Sequence, residues 1–233
     1  IAVGLILTLI LTVVLGVMIE KVAYKPLRSA PRMSVMISAI GVSYLLQNLS
    51  TYVTGGLAQA YPNIPWLRTE IEIGGITVRR LAILTPVLTI LLVIALVIVI
   101  KHTKMGMAMR AVAKDFDTAQ LMGIRINSVI SVTFIIGSLL AAIGSLLYFT
   151  NYQSIVPLSG SLPGLRAFVA AVFGGIGSVP GAMIGGILIG VIEILGRAYI
   201  SPQLSDAIVF AVLILVLIIK PTGILGKKVR EKV

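Results

Sequence analysis

The chain is 233 residues long, 58% hydrophobic and only 12% charged, with a mean hydropathy of +1.09, a balance that excludes a water-soluble domain. The net charge of +11 collects between apolar blocks, where it marks membrane orientation and not a nucleic-acid surface. With no cysteine and one histidine, a disulfide framework and a thiolate metal site are excluded, and metal chemistry lacks its usual ligands.

Apolar blocks occur at 1–19, 33–54, 82–100 and 128–150, followed by a glycine-rich region at 164–200 and a last block at 203–219. Stretches of about 20 apolar residues cross a hydrocarbon core as helices. The blocks are unbroken, so the alternating pattern of a membrane barrel is excluded. The first block, IAVGLILTLILTVVLGVMIE, has neither an initiator Met nor a basic leader, so it reads as a spanning helix with residues missing upstream. The expected architecture is an all-α polytopic membrane protein, a single transmembrane domain over 1–233 built as a bundle of about six to seven transmembrane helices.

The loop at 20–32 carries Lys21, Lys25, Arg28 and Arg32 against Glu20, and the segment at 101–127 carries Lys101, Lys104, Arg110, Lys114 and Arg125 against Asp115 and Asp117. Both are predicted to be cytoplasmic, as is the tail from Lys220 with Lys227, Lys228, Arg230 and Lys232. Segments 55–81, with its YPNIPW run, and 151–165 are predicted to face outward. The YPNIPW aromatics suit either docking of an external protein or anchoring at the membrane interface.

Within block 33–54, Ser43, Gln47, Ser50 and Thr54 share one helical stripe, able to line an aqueous path or to hydrogen-bond neighbouring helices. Segment 101–127, KHTKMGMAMRAVAKDFDTAQLMGIRIN, is amphipathic, with Met105, Met109, Val112 and Phe116 on one face and Arg110, Lys114 and Asp117 on another. Asp115 suits an N-cap for a short helix from Phe116 to Met122, and Gly123 suits the left-handed position after it. Such a helix is too short to stand alone. It is either held between the membrane body and a partner or part of a solvated loop on the membrane surface.

The chain must enter and leave again between 164 and 200. The turn GGIGSVPG, residues 174–181, cannot remain helical, so the region is a tight hairpin or a broken helix lining a path. Gly174 and Gly175 open that turn, while Gly177, Gly181 and Gly185, together with Gly186 and Gly190, form small-xxx-small spacings that permit close helix approach. Gly137, Ala141 and Gly144 repeat the device in block 128–150, with Ser131, Ser138 and Ser145 close by. Glu193 and Arg197, four apart, form either a structural ion pair or a gating or substrate element.

The stretches KVAYKPLRSAPRMSVMISAIGVSYLLQN (21–48), GMAMRAVAKDFDTAQLMGIRINSVISVTFIIGSLLAAIGSLL (106–147), GLRAFVAAVFGGIGSVPGAMIGGILIGVIE (164–193) and the tail KPTGILG closely resemble the permease subunits of branched-chain amino acid ABC importers. The resemblance covers nearly the whole chain, in the family's order and spacing. It implies a subunit without catalysis or cofactor of its own, in the bacterial or archaeal cytoplasmic membrane. Its implied partners are a second related permease, two cytoplasmic ATPase subunits that carry ATP and Mg, and an extracytoplasmic substrate-binding protein; no nucleic acid is implied. The segment from Arg110 to Gly123 would be the coupling helix, with Arg110, Lys114, Asp115, Phe116, Asp117 and Gly123 engaging the ATPase. Ser43, Gln47, Asn48, Ser50 and Glu193 would border the translocation path. The implied substrates are Leu, Ile and Val. The alternatives are a permease for urea or another small polar solute, and an ion-coupled secondary transporter using Glu193. An intramembrane enzyme finds no activating constellation.

Overall fold

The computed structural model describes residues 2–28, 30–62, 69–73, 76–152, 154–220 and 222–226. The basic tail residues Lys227, Lys228, Arg230 and Lys232 and most of the YPNIPW run lie outside them. The chain forms two compact units, residues 1–158 and 159–233.

In the first unit, helix α1 (Ala2–Ile19) runs directly into a π-helical turn, Glu20–Tyr24. Helix α2 (Arg32–Thr54) starts after Pro31, whose extended backbone cannot continue a helix, and stops at Gly55 with φ of 66°. Two short strand pairs follow where only outward loops were expected: β1 (Gln59–Ala60) pairs antiparallel with β4 (Ser154–Ile155), and β2 (Glu70–Ile73) pairs with β3 (Ile76–Arg79), setting Glu70 opposite Arg79. Helix α3 (Arg80–His102) leads to α4 (Lys104–Lys114), α5 (Phe116–Leu121) and the long α6 (Ile126–Asn151).

Helices α1 and α6 pack face to face. Gly16 lies so close to Ser138 that any Cβ would collide with its hydroxyl, and Tyr24 stacks on Phe134 at 5.2 Å between ring centroids. The Gly137, Ala141 and Gly144 face is not the one used here: nothing lies within 4 Å of a Cβ built on Gly137 or Gly144. The contact runs instead along the neighbouring face, through Ser131, Phe134 and Ser138.

The second unit holds α7 (Ser161–Gly174), α8 (Val179–Tyr199) and α9 (Ser205–Ile219) around Val169, Ala170, Phe173, Ile189 and Val209. The glycine-rich region is therefore a hairpin, with its first arm starting at Ser161, earlier than Gly164. Ser178 caps α8 by accepting a hydrogen bond from the Gly181 N–H at 3.1 Å. Cβ atoms on Gly174, Gly181 or Gly185 would strike backbone of the facing arm, so these three glycines set the interaxial distance. Gly186 and Gly190 do not: Gly190 faces open space and Gly186 makes only ordinary contact. Gly177 serves by conformation, with φ of 91°.

Residues 222–226 of the tail return to the hairpin turn. The Ile224 and Leu225 N–H groups donate to the Phe173 and Gly174 carbonyls at 2.9 Å, filling acceptors that the end of α7 leaves unpaired. Gly175 (φ of 109°) and Gly223 (φ of 76°) let the two backbones touch. At its other end α7 is tied to the first turn of α9 by an Arg166–Asp206 ion pair. Helix α7, about 21 Å long, and α9, about 22 Å, thus cover the same depth. Among the described residues, α1 with its π-helical turn, α2, α3, α6 and α8 are long and apolar enough to cross a membrane; α7 and α9 are shorter apolar helices.

Candidate functional site

The corner formed by α3, α4 and α5 is built by local rules. Thr103 ends α3 and begins α4: its hydroxyl donates to the Val99 carbonyl at 2.6 Å and accepts from the Gly106 N–H at 3.0 Å. Gly106 is buried against the Val99 and Ile100 carbonyls, where a Cβ has no room. Arg110 reaches back to the Lys101 carbonyl at 3.3 Å, so this cation also secures the end of α3. The helix then breaks at Asp115 (φ of −156°), which divides the amphipathic face read from the sequence: Met105, Met109 and Val112 are half-buried on α4, and Phe116 belongs to α5.

Asp115 caps α5 as expected, accepting from the Thr118 N–H at 3.1 Å and the Thr118 hydroxyl at 2.7 Å. Gly123 takes φ of 78°, its N–H donates to Gln120 O, and the Ile124 N–H donates to Ala119 O, the paired bonds of a Schellman stop. Ala119 is buried and anchors the helix, whereas Leu121 is 88% and Met122 78% exposed. Lys101, Lys104, Lys114 and Arg125 of the same segment are exposed as well. The sequence reading named Phe116 and missed Leu121 and Met122. The break at Asp115 and the stop at Gly123 are legible in the sequence; which side chains of so short a helix face outward is not, because that depends on how buried Ala119 seats it.

Phe116, Asp117 and Gln120 line a cleft of about 740 Å³ together with Arg28, Arg125 and Asn127. Arg28 donates to Glu20 and to the Asn127 side-chain oxygen. Glu20, only 1% exposed, also accepts from the Ser131 hydroxyl at 3.0 Å. Glu20, a loop charge by sequence, continues the helix instead and lies four residues after Gly16 on the face of the α1/α6 contact.

On α2 the polar side chains bond along their own helix: Gln47 Nε2 to Ser43 Oγ at 3.1 Å, Asn48 Nδ2 to Tyr44 O at 2.8 Å, and Thr54 Oγ1 to Ser50 O at 2.8 Å. Ser43, Asn48 and Ser50 are exposed and Gln47 half-buried, so the stripe is open to whatever adjoins α2. In the second unit Glu193 pairs with Arg197 at 2.5 Å, as the spacing suggested, and also with Arg166 at 2.8 Å, which holds Asp206 at 2.5 Å. Ser205, fully buried, donates to the Glu193 carbonyl at 3.1 Å. Arg166 and Asp206 join this network from α7 and α9, 27 and 13 positions away in sequence, beyond the reach of helical periodicity. Among the described residues no group of His, Cys, Asp and Glu forms a metal site.

A family model described as branched-chain amino acid transport system / permease component matches residues 1–217. The chain is 42% identical over 236 residues to the high-affinity branched-chain amino acid transport system permease protein LivH of Salmonella typhimurium, covering all of this chain and 77% of that relative. It is 42% identical over 229 residues to BraD of Pseudomonas aeruginosa, a permease protein of the same description, covering 97% of this chain and 75% of the relative. A probable branched-chain amino acid transport permease protein of Methanocaldococcus jannaschii is 28% identical over 221 residues, or 90% of this chain and 70% of the relative. No solved structure matches. The apolar helices, the glycine hairpin and the full-length identity agree, and the chain belongs to the family of branched-chain amino acid transport system permease components.

Proposed function

We propose that this chain forms half of the translocation path of an ATP-driven importer of Leu, Ile and Val. In this reading it spans the cytoplasmic membrane with its C-terminus inside. It pairs with a second related permease, docks on two cytoplasmic ATPase subunits that bind ATP and Mg, and receives substrate from an external binding protein. The observation that carries the proposal is α5, a short capped and stopped helix that exposes Leu121 and Met122 within the basic segment 101–127. Apolar side chains so exposed among charges do not belong in lipid, and helix of this length needs a partner to hold it. Arg110 and Lys114 flank α5, Asp115 and Gly123 fix its ends, and Phe116 and Asp117 shape the adjoining cleft. Closure of the ATPases on ATP shifts the bundle between two states because they bind α5 differently in each.

The polar edge of α2, Ser43, Gln47, Asn48 and Ser50, borders the path at the seam with the second permease. Glu193 is assigned a structural role. Its carboxylate is tied to Arg166 of α7 and Arg197 of α8, and its carbonyl to Ser205 at the start of α9, so it joins the three helices of the second unit.

The test is uptake by liposomes containing the chain with its cognate second permease, ATPases and binding protein. ATP-dependent leucine uptake, competed by isoleucine and valine and not by urea, is expected. Uptake driven by a proton or sodium gradient without ATP overturns the proposal.

A further inference from the structure

We infer that the buried Glu20–Arg28 pair, completed by Asn127 and Ser131, is a positioning element that makes α1 move with the short helix α5 during the transport cycle. This rests on the proposed role of α5 as the ATPase contact. Along α6, residues 127, 131, 134 and 138 recur at spacings of four, three and four and so share one face. They meet Arg28, Glu20, Tyr24 and Gly16 in turn. The cleft beside α5 opens at the end of this face, where Arg28 and Asn127 share its wall with Phe116 and Gln120. Helix α5 adjoins α6, so a displacement of α5 that carries the start of α6 reaches Arg28 through Asn127 and α1 through Glu20.

Two features favour registry over stability as the purpose of the pair. Taking Glu20 and Arg28 out of water costs about as much as their attraction returns, so a well-packed apolar pair would hold the fold equally well; what buried ion pairs contribute best is fixed register. The pair also sits at a π-helical turn, a form uncommon in helices and concentrated at functional positions. Glu20 opens this turn on the same face as Gly16, four residues earlier, and its carbonyl accepts the Lys25 N–H at 2.8 Å across the wider turn.

The experiment compares the wild-type assembly with the double variant Glu20→Met/Arg28→Leu, measuring ATP hydrolysed per leucine imported in the same liposomes. The double variant is expected to keep ATP hydrolysis while consuming at least about five-fold more ATP per leucine, the low end of a typical coupling between sites. The single variant Asn127→Ala, which leaves the pair in place and frees Arg28 from α6, is expected to raise the ratio less, and it reads the same quantity should the double variant not assemble. A wild-type ratio in the assembled variants overturns the inference. If the wild-type assembly itself shows no ATP-driven uptake, the proposed function fails first and independently of the pair.

Discussion

At the scale of single residues, the two ends of α5 and the glycines of the hairpin carry distinct physical loads. Asp115→Ala removes both bonds to Thr118 and is expected to destabilise the helix by about 1 kcal/mol. ATPase stimulated by substrate-loaded binding protein should fall, with the amount of assembled complex unchanged. Gly185→Ala drives a methyl group into the Ala170 carbonyl and is expected to cost about 1–3 kcal/mol, whereas Gly190→Ala, in open space, should be neutral or gain up to about 1 kcal/mol from helix propensity. Thermal unfolding of the two variants in detergent checks this contrast; equal melting temperatures would contradict the packing described. The Asp115 cap and the Gly123 stop were legible in the sequence because both act on neighbours within four residues. Glu20 was not legible. Its partners Arg28 and Ser131 lie eight and 111 positions away, and only the α1/α6 contact brings them together.

At the scale of elements, the second unit is fastened at both ends. Arg166 joins Glu193 and Asp206 across three helices, so Arg166→Met leaves Glu193 with the half-exposed Arg197 and takes the Arg166 guanidinium from Asp206. A loss approaching roughly 3 kcal/mol is expected, the low end for breaking a buried pair. Arg197 is nearly half exposed, and Arg197→Met should cost below about 1 kcal/mol. The same detergent melts rank the two; a larger effect at Arg197 would reverse the assignment. At the other end, Ile224→Pro deletes the N–H that serves the Phe173 carbonyl and is expected to release the tail, seen as faster cleavage within 222–226 by a protease of broad specificity, with little change in the melting of the helices. The i,i+4 pair of Glu193 and Arg197 could be read from spacing, and the hairpin from its glycines. The strap formed by 222–226 could not, because a backbone contact between a tail and a turn some 50 residues earlier has no periodic signature.

At the scale of the whole molecule, the apolar blocks predicted the helices to within a few residues, because length and hydropathy alone decide what can cross a bilayer. The misplaced helical face at Phe116 and the unused Gly137 face share one cause: a pattern shows which residues can face a neighbour, and the contacts of the fold decide which do. Leu121 and Met122 show the consequence, since their exposure follows from the side on which Ala119 packs, which no pattern within the helix discloses. The most direct test of the account exploits a chain without cysteine. A single Cys replaces Leu121, and a short thiol crosslinker is applied to membranes holding the complete transporter. The account predicts capture of the nucleotide-binding ATPase subunit, identified by mass spectrometry, with a yield that changes when ATP is bound. A cysteine labelled from the cytoplasm that captures no ATPase would contradict it.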